Sequence, residues 1–369
     1  MKSNNHLFII GTGSLARAIC YAIPLLTKDE LNVTVISRSL RSSKEVATVG
    51  NVRAKLVNSK VMFAFEEVDW ENKQKLKETF IDAQAKIVLL ASSLQSPWEF
   101  SDTKSSWATL IQHGGFGITL PLQAYLAIKL GFLFKEYSFS GLFINACYPD
   151  AVNPLLKSLG FNITCGVGNI SIIHALLKTT LKLASNDKLK LLAHHFHVGS
   201  KTEEIPENHR IVGWINEKPF STNNNLYSFI TNINGAELNH ITGCTAAQML
   251  IALLRERFID YHAPGPYGLP GGYPVTIGKL QVKLDLPKDL ILEDAILKNQ
   301  EWSILDGVMI DNANKIQFNS KATHLLSQYN FPYSNGFDAT EIYDVCKSLL
   351  NLRDELRKIV SKNKEENII

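Results

Sequence analysis

Short apolar runs alternate with helically spaced ones through the first 150 residues. His6–Ile10, Val33–Ile36, Val61–Phe65, Ile87–Ala91 and Leu142–Ala146 are continuous runs rather than alternating ones, the pattern of strands covered on both faces. Between them, Leu15–Leu26, Asn72–Ile81 and Ser105–Leu130 repeat apolar residues at helical spacing. Strand, helix, strand in this order predicts βαβ units and a doubly wound parallel sheet. Beyond Asp150 helices are predicted over Ala151–Leu159, Ser171–Leu183 and Thr242–Phe258, and strands over Leu189–Val198 and Arg210–Ile215. The Gly- and Pro-rich stretch His262–Tyr273 reads as a loop. Hairpins are predicted over Val275–Leu286, turning near Gly278–Lys279, and over Ile304–Phe318, turning around Asn312–Asn314. Thr340–Val360 is an amphipathic helix whose apolar face suits packing on this chain or a homodimer contact. The class is α/β, with one domain over 1–150 and a mixed α/β domain over 151–369 that ends in a helix.

Composition narrows the function. The 369 residues are 45% hydrophobic and 20% charged, ordinary for a chain that buries a large core. The net charge of +3 gives no reason to expect nucleic acid or an anionic membrane surface. Leu120–Phe134 is the most apolar long segment, but Gln123 and Lys129 interrupt it, and it is too short to span a bilayer. Five widely spaced cysteines without a CxxC predict reduced thiols and a cytoplasmic setting. Only nine residues are Arg, and none lies between Arg53 and Arg210.

The first strand runs into Gly11-Thr12-Gly13-Ser14-Leu15-Ala16 and then an apolar helix. In a G-x-G-x-x-A turn the first Gly allows the tight bend and the second lets backbone approach a pyrophosphate. The small third residue lets helix and strand pack closely. With a strand before it and a helix after it, this predicts a Rossmann-type dinucleotide site, which Ala91 and Ser92 join where the fourth strand ends. The second strand ends Ile36-Ser37-Arg38-Ser39, followed by Arg41, with no acid to hold a ribose 2′-hydroxyl. Ser37, Arg38 and Arg41 can donate to a 2′-phosphate instead, so NADP(H) is expected over NAD(H).

The strand end Ile144-Asn145-Ala146-Cys147-Tyr148-Pro149-Asp150, the helix opening His240-Ile241-Thr242-Gly243 and the segment Gly272-Tyr273-Pro274-Val275-Thr276-Ile277-Gly278 together resemble the lactate/malate dehydrogenase family. The resemblance covers most of the first 300 residues and implies that family's fold; a homo-oligomer, a dimer, is the expected assembly. The resemblance also implies Asn145 as a substrate- and nicotinamide-positioning residue, and His197, in His194-His195-Phe196-His197, as the proton donor and acceptor. Imidazole suits that role because it titrates near neutrality. The family's His-orienting Asp and first Arg fall on Ser171 and His174, and its mobile-loop Arg should fall between Ala91 and Ser106, where no Arg occurs. Without a bidentate clamp, a simple 2-hydroxy acid is not the expected substrate.

His195 and His197 would share a face of a strand, yet no Cys, Asp or Glu flanks them at a ligand spacing, so no metal is expected. The reading is an NADP(H)-dependent oxidoreductase acting on a carbonyl or imine, with His197, Asn145 and His174 in its site and a small or amino-acid-derived molecule as its partner. Two alternatives stand beside it. An opine-type dehydrogenase should carry a His–acid pair in its second domain, and a nucleotide-binding protein without catalysis needs no such pair.

Overall fold

The computed structural model describes residues 6–99, 104–184, 186–199, 205–220, 233, 235–311 and 313–359. The expected positions Asn312 and Val360 lie outside them. β1 (His6–Ile10), β2 (Leu31–Ser37), β3 (Val61–Glu67), β4 (Ile87–Leu90), β5 (Leu142–Asn145) and β6 (Cys165–Gly166) form one parallel sheet in the order β3-β2-β1-β4-β5-β6. This is the doubly wound order whose reversal, between β1 and β4, opens a crevice at the carboxyl ends of the strands.

β1, β2, β4 and β5 read as unbroken apolar runs because both faces are covered, whereas β3, at the sheet edge, leaves Met62 and Phe65 exposed and is covered on one face only. Phe8, Ile10, Val88 and Leu90 face one buried cluster, whereas Leu7, Ile9, Ile87 and Leu89 face another. On the first side lie α4 (Ser106–Gly114) and α5 (Leu120–Glu136). The span Phe116–Glu136 is apolar and long enough to cross a membrane by length and composition, but 83% of its apolar window is buried inside the protein, as in a core helix. Gly115, at φ 99°, breaks the helix that the periodicity carries unbroken from Ser105 to Leu130.

On the second side α1 (Ser14–Leu26) packs against the long helix α8 (Gly235–Leu253). Contact is close enough that a Cβ on Gly243 would lie 2.7 Å from the backbone of Ala18. Between them in sequence come α2 (Leu40–Leu56), α3 (Lys73–Lys77), α6 (Pro149–Ser158) and α7 (Ile170–Thr180). The second half adds three antiparallel sheets: β7 (Leu189–Leu192) with β8 (Val212–Ile215) and β9 (Lys218–Phe220); β10 (Ile259–Pro264) with β11 (Gly272–Gly278) and β12 (Gln281–Leu284); and β13 (Val308–Ile310) with β14 (Lys315–Phe318) and β15 (Phe337–Asp338).

Four sequence expectations change here. The strand predicted over Leu189–Val198 stops at Leu192, and Phe196–Gly199 is a helical turn. The predicted loop His262–Tyr273 begins inside β10. α9 (Leu292–Leu305) occupies residues whose end was assigned to a hairpin. The boundary at residue 150 does not divide the core either. β6 carries the first sheet to Gly166, while α10 (Ser320–Gln328) and α11 (Ile342–Leu356) pack with α4 and α5. The face of α11 offered as a dimer contact, including Ile342, Val345 and Leu349, is buried within this chain.

Candidate active site

The glycine turn fits a dinucleotide. Gly11 sits at φ 129°, and a Cβ there would fall 2.3 Å from the carbonyl oxygen of Ala91, so the turn seats directly on the end of β4. Around Gly13 the space is open, and as N-cap of α1 it offers no side chain to the first helical amides. Those amides and the helix dipole suit a phosphate. The third small residue, Ala16, is fully buried. Thr12 gives its carbonyl to Arg17 Nε at 3.0 Å, and Ser14 Oγ accepts from Asn239 Nδ2 at 2.8 Å. Ser92 lies beside Gly11 and Leu15 packs on the core, so all these positions gather at one crevice.

At the end of β2, Ser37 Oγ is engaged locally, donating to the Ser39 carbonyl at 2.8 Å and accepting the Ser39 N–H. Arg38 and Arg41 are exposed, and neither makes a hydrogen bond or ion pair among the described residues. Glu67, the register partner of Ser37 on β3, accepts the N–H of Leu40.

The three neighbouring histidines divide their roles. His197 is fully buried. Its Nδ1 accepts the N–H of His194 at 3.0 Å, and its Nε2 lies 2.9 Å from the carbonyl of His209. That pairing needs the neutral ring, and burial lowers its pKa to about 3. His194 is likewise buried, with Nδ1 accepting the Phe196 N–H and Nε2 bonded to Ser303 Oγ. His195 differs. Its Nδ1 lies 2.9 Å from Asp306 Oδ2 and 3.1 Å from Oδ1, its side chain is 15% exposed, and Nε2 has no partner among the described residues. Burial alone would lower its pKa, but the Asp306 charge and hydrogen bond outweigh it and raise the value above 6.5. Burial likewise favours a neutral Asp306, yet His195 holds its pKa below 3.8.

Three elements assemble this pair. Asp306 ends α9, and Tyr148, in the left-handed region at φ 46° just before α6, donates its hydroxyl to Asp306 Oδ2 at 2.6 Å. A bulky residue in that conformation is uncommon and marks a constrained site. Asp150, in the first turn of α6, accepts the backbone N–H of His195 at 2.9 Å and the side chain of Asn169. The Phe116 ring lies 4.7 Å from the His195 ring, covering one face of it.

The other expected positions have structural work. Asn145 is buried and saturated, donating to the Cys147 carbonyl and to Asn153 Oδ1 and accepting the Cys147 N–H, so it shapes the loop after β5. His174 stacks on His262 at 4.1 Å, and burial lowers its pKa to about 4. Ser171 Oγ bonds to the Gly168 carbonyl and Thr245 Oγ1. Sequence reasoning missed Asp306 because it fell on a predicted strand. It missed His195 because, on a strand, His195 and His197 are equivalent by parity. Among the described residues no group of His, Cys, Asp and Glu could hold a metal.

Solved structures share this architecture. A lactate dehydrogenase from Eimeria maxima, described with NADH and oxamate, superposes with a TM-score of 0.53 at 15% identity, over 83% of this chain and 93% of its own. A malate dehydrogenase from Aeropyrum pernix gives 0.51 at 16% identity, over 80% and 94%. The fold is that of the lactate and malate dehydrogenases. A malate dehydrogenase from Salinibacter ruber extends the match to 95% of this chain and 99% of its own, at a TM-score of 0.50 and 13% identity. No protein-family model and no curated protein matches the chain. Within this dehydrogenase fold the segment after β4 carries no Arg, and the acid facing the histidine comes from the end of α9 rather than from α7.

Proposed function

We propose that the protein is a nicotinamide-dependent oxidoreductase, with NADP(H) preferred, in which His195 and Asp306 manage the proton. The pairing of a partly exposed imidazole with a buried carboxylate, at the carboxyl edge of a sheet that carries a dinucleotide turn, is the observation that carries this reading. A bound nicotinamide would supply or accept the hydride. Asp306 fixes Nδ1–H of His195, so the free Nε2 is the atom that gives a proton to a carbonyl or imine during reduction and takes it back during oxidation. Tyr148 holds Asp306 in place, and Asp150 fixes the backbone of His195. Exposed Arg38 and Arg41 support the 2′-phosphate.

The side chains that act electrostatically on His195 are the carboxyl groups of Asp306 and Asp150, with no arginine among them. This supports a substrate other than a simple 2-hydroxy acid. A His–acid pair in the second half also favours an imine formed from an amine and a keto acid, as an opine-type dehydrogenase uses. NADPH fluorescence on titration tests the core of the proposal. Wild type binds, Arg38→Ala weakens NADPH binding by about tenfold with little change for NADH, and His195→Gln binds as wild type but loses turnover by about a hundredfold or more. Binding of neither NADPH nor NADH overturns the reading. NADPH oxidation with keto acids alone, and with keto acids plus amino acids, separates the two substrate classes.

A further inference from the structure

α11, far along the chain, clasps the segment that follows β4. Arg353 Nη1 donates to the Leu94 carbonyl at 2.6 Å, and the Arg357 guanidinium forks onto Glu99 at 2.6 and 2.5 Å. Just past the helix, the Ile359 carbonyl accepts the N–H of Ser106 at 2.9 Å. The segment is thus held at Leu94, Glu99 and Ser106 by one stretch of the C-terminal region. Glu99 is almost buried. Burial works to raise its pKa, yet Arg357 and Gln95 hold it below its ordinary value, so the fork is a charge-assisted pair between a buried carboxylate and a partly exposed guanidinium.

This segment begins at the dinucleotide turn, where Ala91 meets Gly11, and reaches it again by a second path. The Trp98 ring packs so closely on Gly235, the first residue of α8, that a Cβ there would lie 2.3 Å from it. One helical turn further along α8, Asn239 donates to Ser14 Oγ in the phosphate-binding turn. We infer that Arg353 and Arg357 are positioning residues of the nucleotide site, holding the segment after β4 and, through Trp98 and the start of α8, the side chain of Ser14. The dehydrogenase fold thereby has its crevice wall fastened from the C-terminal helix. The cofactor half of this inference rests on the function proposed above.

Amide exchange over residues 93–99 and 104–107 and NADPH affinity are measured together on the full chain. Arg357→Ala is expected to speed exchange in the segment and raise the Kd for NADPH by about tenfold, with Arg357→Lys intermediate because it keeps the charge but not the fork. Arg353→Ala should act in the same direction. Unchanged exchange in Arg357→Ala shows that the segment is held otherwise and overturns the clasp. Faster exchange with unchanged Kd overturns the link to the nucleotide site. A wild type that binds no nicotinamide nucleotide overturns the functional reading, and the cofactor half of this inference with it, while the exchange data still decide the clasp.

Discussion

Asp306 and His195 stabilise each other's charged forms, and the sign of each effect sets a pH window. The imidazole, raised above its unfolded 6.5, contributes stability that is complete below 6.5 and lost as pH climbs through the raised value. The carboxyl, lowered below its unfolded 3.8, contributes stability present above 3.8 and lost as pH falls through the lowered value. The pair therefore adds most between 3.8 and 6.5. Denaturant unfolding of wild type and Asp306→Asn should differ most near the middle of that window and converge at alkaline pH. In the same variant the alkaline limb of the reduction rate should move to lower pH, because the imidazole loses the charge that keeps it protonated. A limb that stays put would remove Asp306 from the proton chemistry. That one residue of a His-x-His pair is partly exposed and acid-paired, while the other is locked on backbone, lay beyond sequence reasoning. The chain leaves its strand at Leu192, and strand parity then stops describing which way either ring points.

Among the elements, β1, β2, β4 and β5 were legible because burial on both faces leaves an unbroken apolar run, whereas β6 is two residues long and leaves no such run. α2 was not, since along Leu40–Leu56 only Ser43, Val46, Ala47, Gly50 and Ala54 are buried, a stripe of small residues with little hydrophobic contrast. The long helix read across Ser105–Leu130 is two, because Gly115 takes a conformation that other residues resist. α11 was recognised as amphipathic, yet its sequence alone left open what covers its face. The answer is α5, with Tyr343 packed edge-on against Tyr125. Leu349, fully buried in that contact, gives a direct check. Leu349→Ala should cost about 2–5 kcal/mol in urea unfolding, as large-to-small changes in packed cores do. A cost near zero would mean that α11 is not docked there.

Taken whole, the chain does not separate into a nucleotide half and a substrate half. The glycine turn could be placed from sequence because its chemistry is local, whereas the His–Asp pair joins residues 111 positions apart and no spacing rule points to it. The core around α5 includes Val308, Ile316 and Phe337 as well as α11, so residues from the far end complete the face of the first sheet. Residues 1–150 expressed alone should therefore lack a cooperative unfolding transition and bind no NADPH, whereas the full chain shows both; circular dichroism and nucleotide fluorescence make the comparison. A stable, nucleotide-binding 1–150 fragment would restore the simple two-domain division.

The Tyr148–Asp306 hydrogen bond has a temporal meaning as well. During synthesis the glycine turn, Tyr148 and His195 emerge well before Asp306 and the helix whose arginines clasp the crevice wall. A chain stopped short of residue 306 has every nucleotide-facing group but an untuned imidazole and an unfastened wall. On the function proposed above, a tuned His195 is thus withheld from partial products and arrives only as the last stretch of polypeptide folds back onto the first.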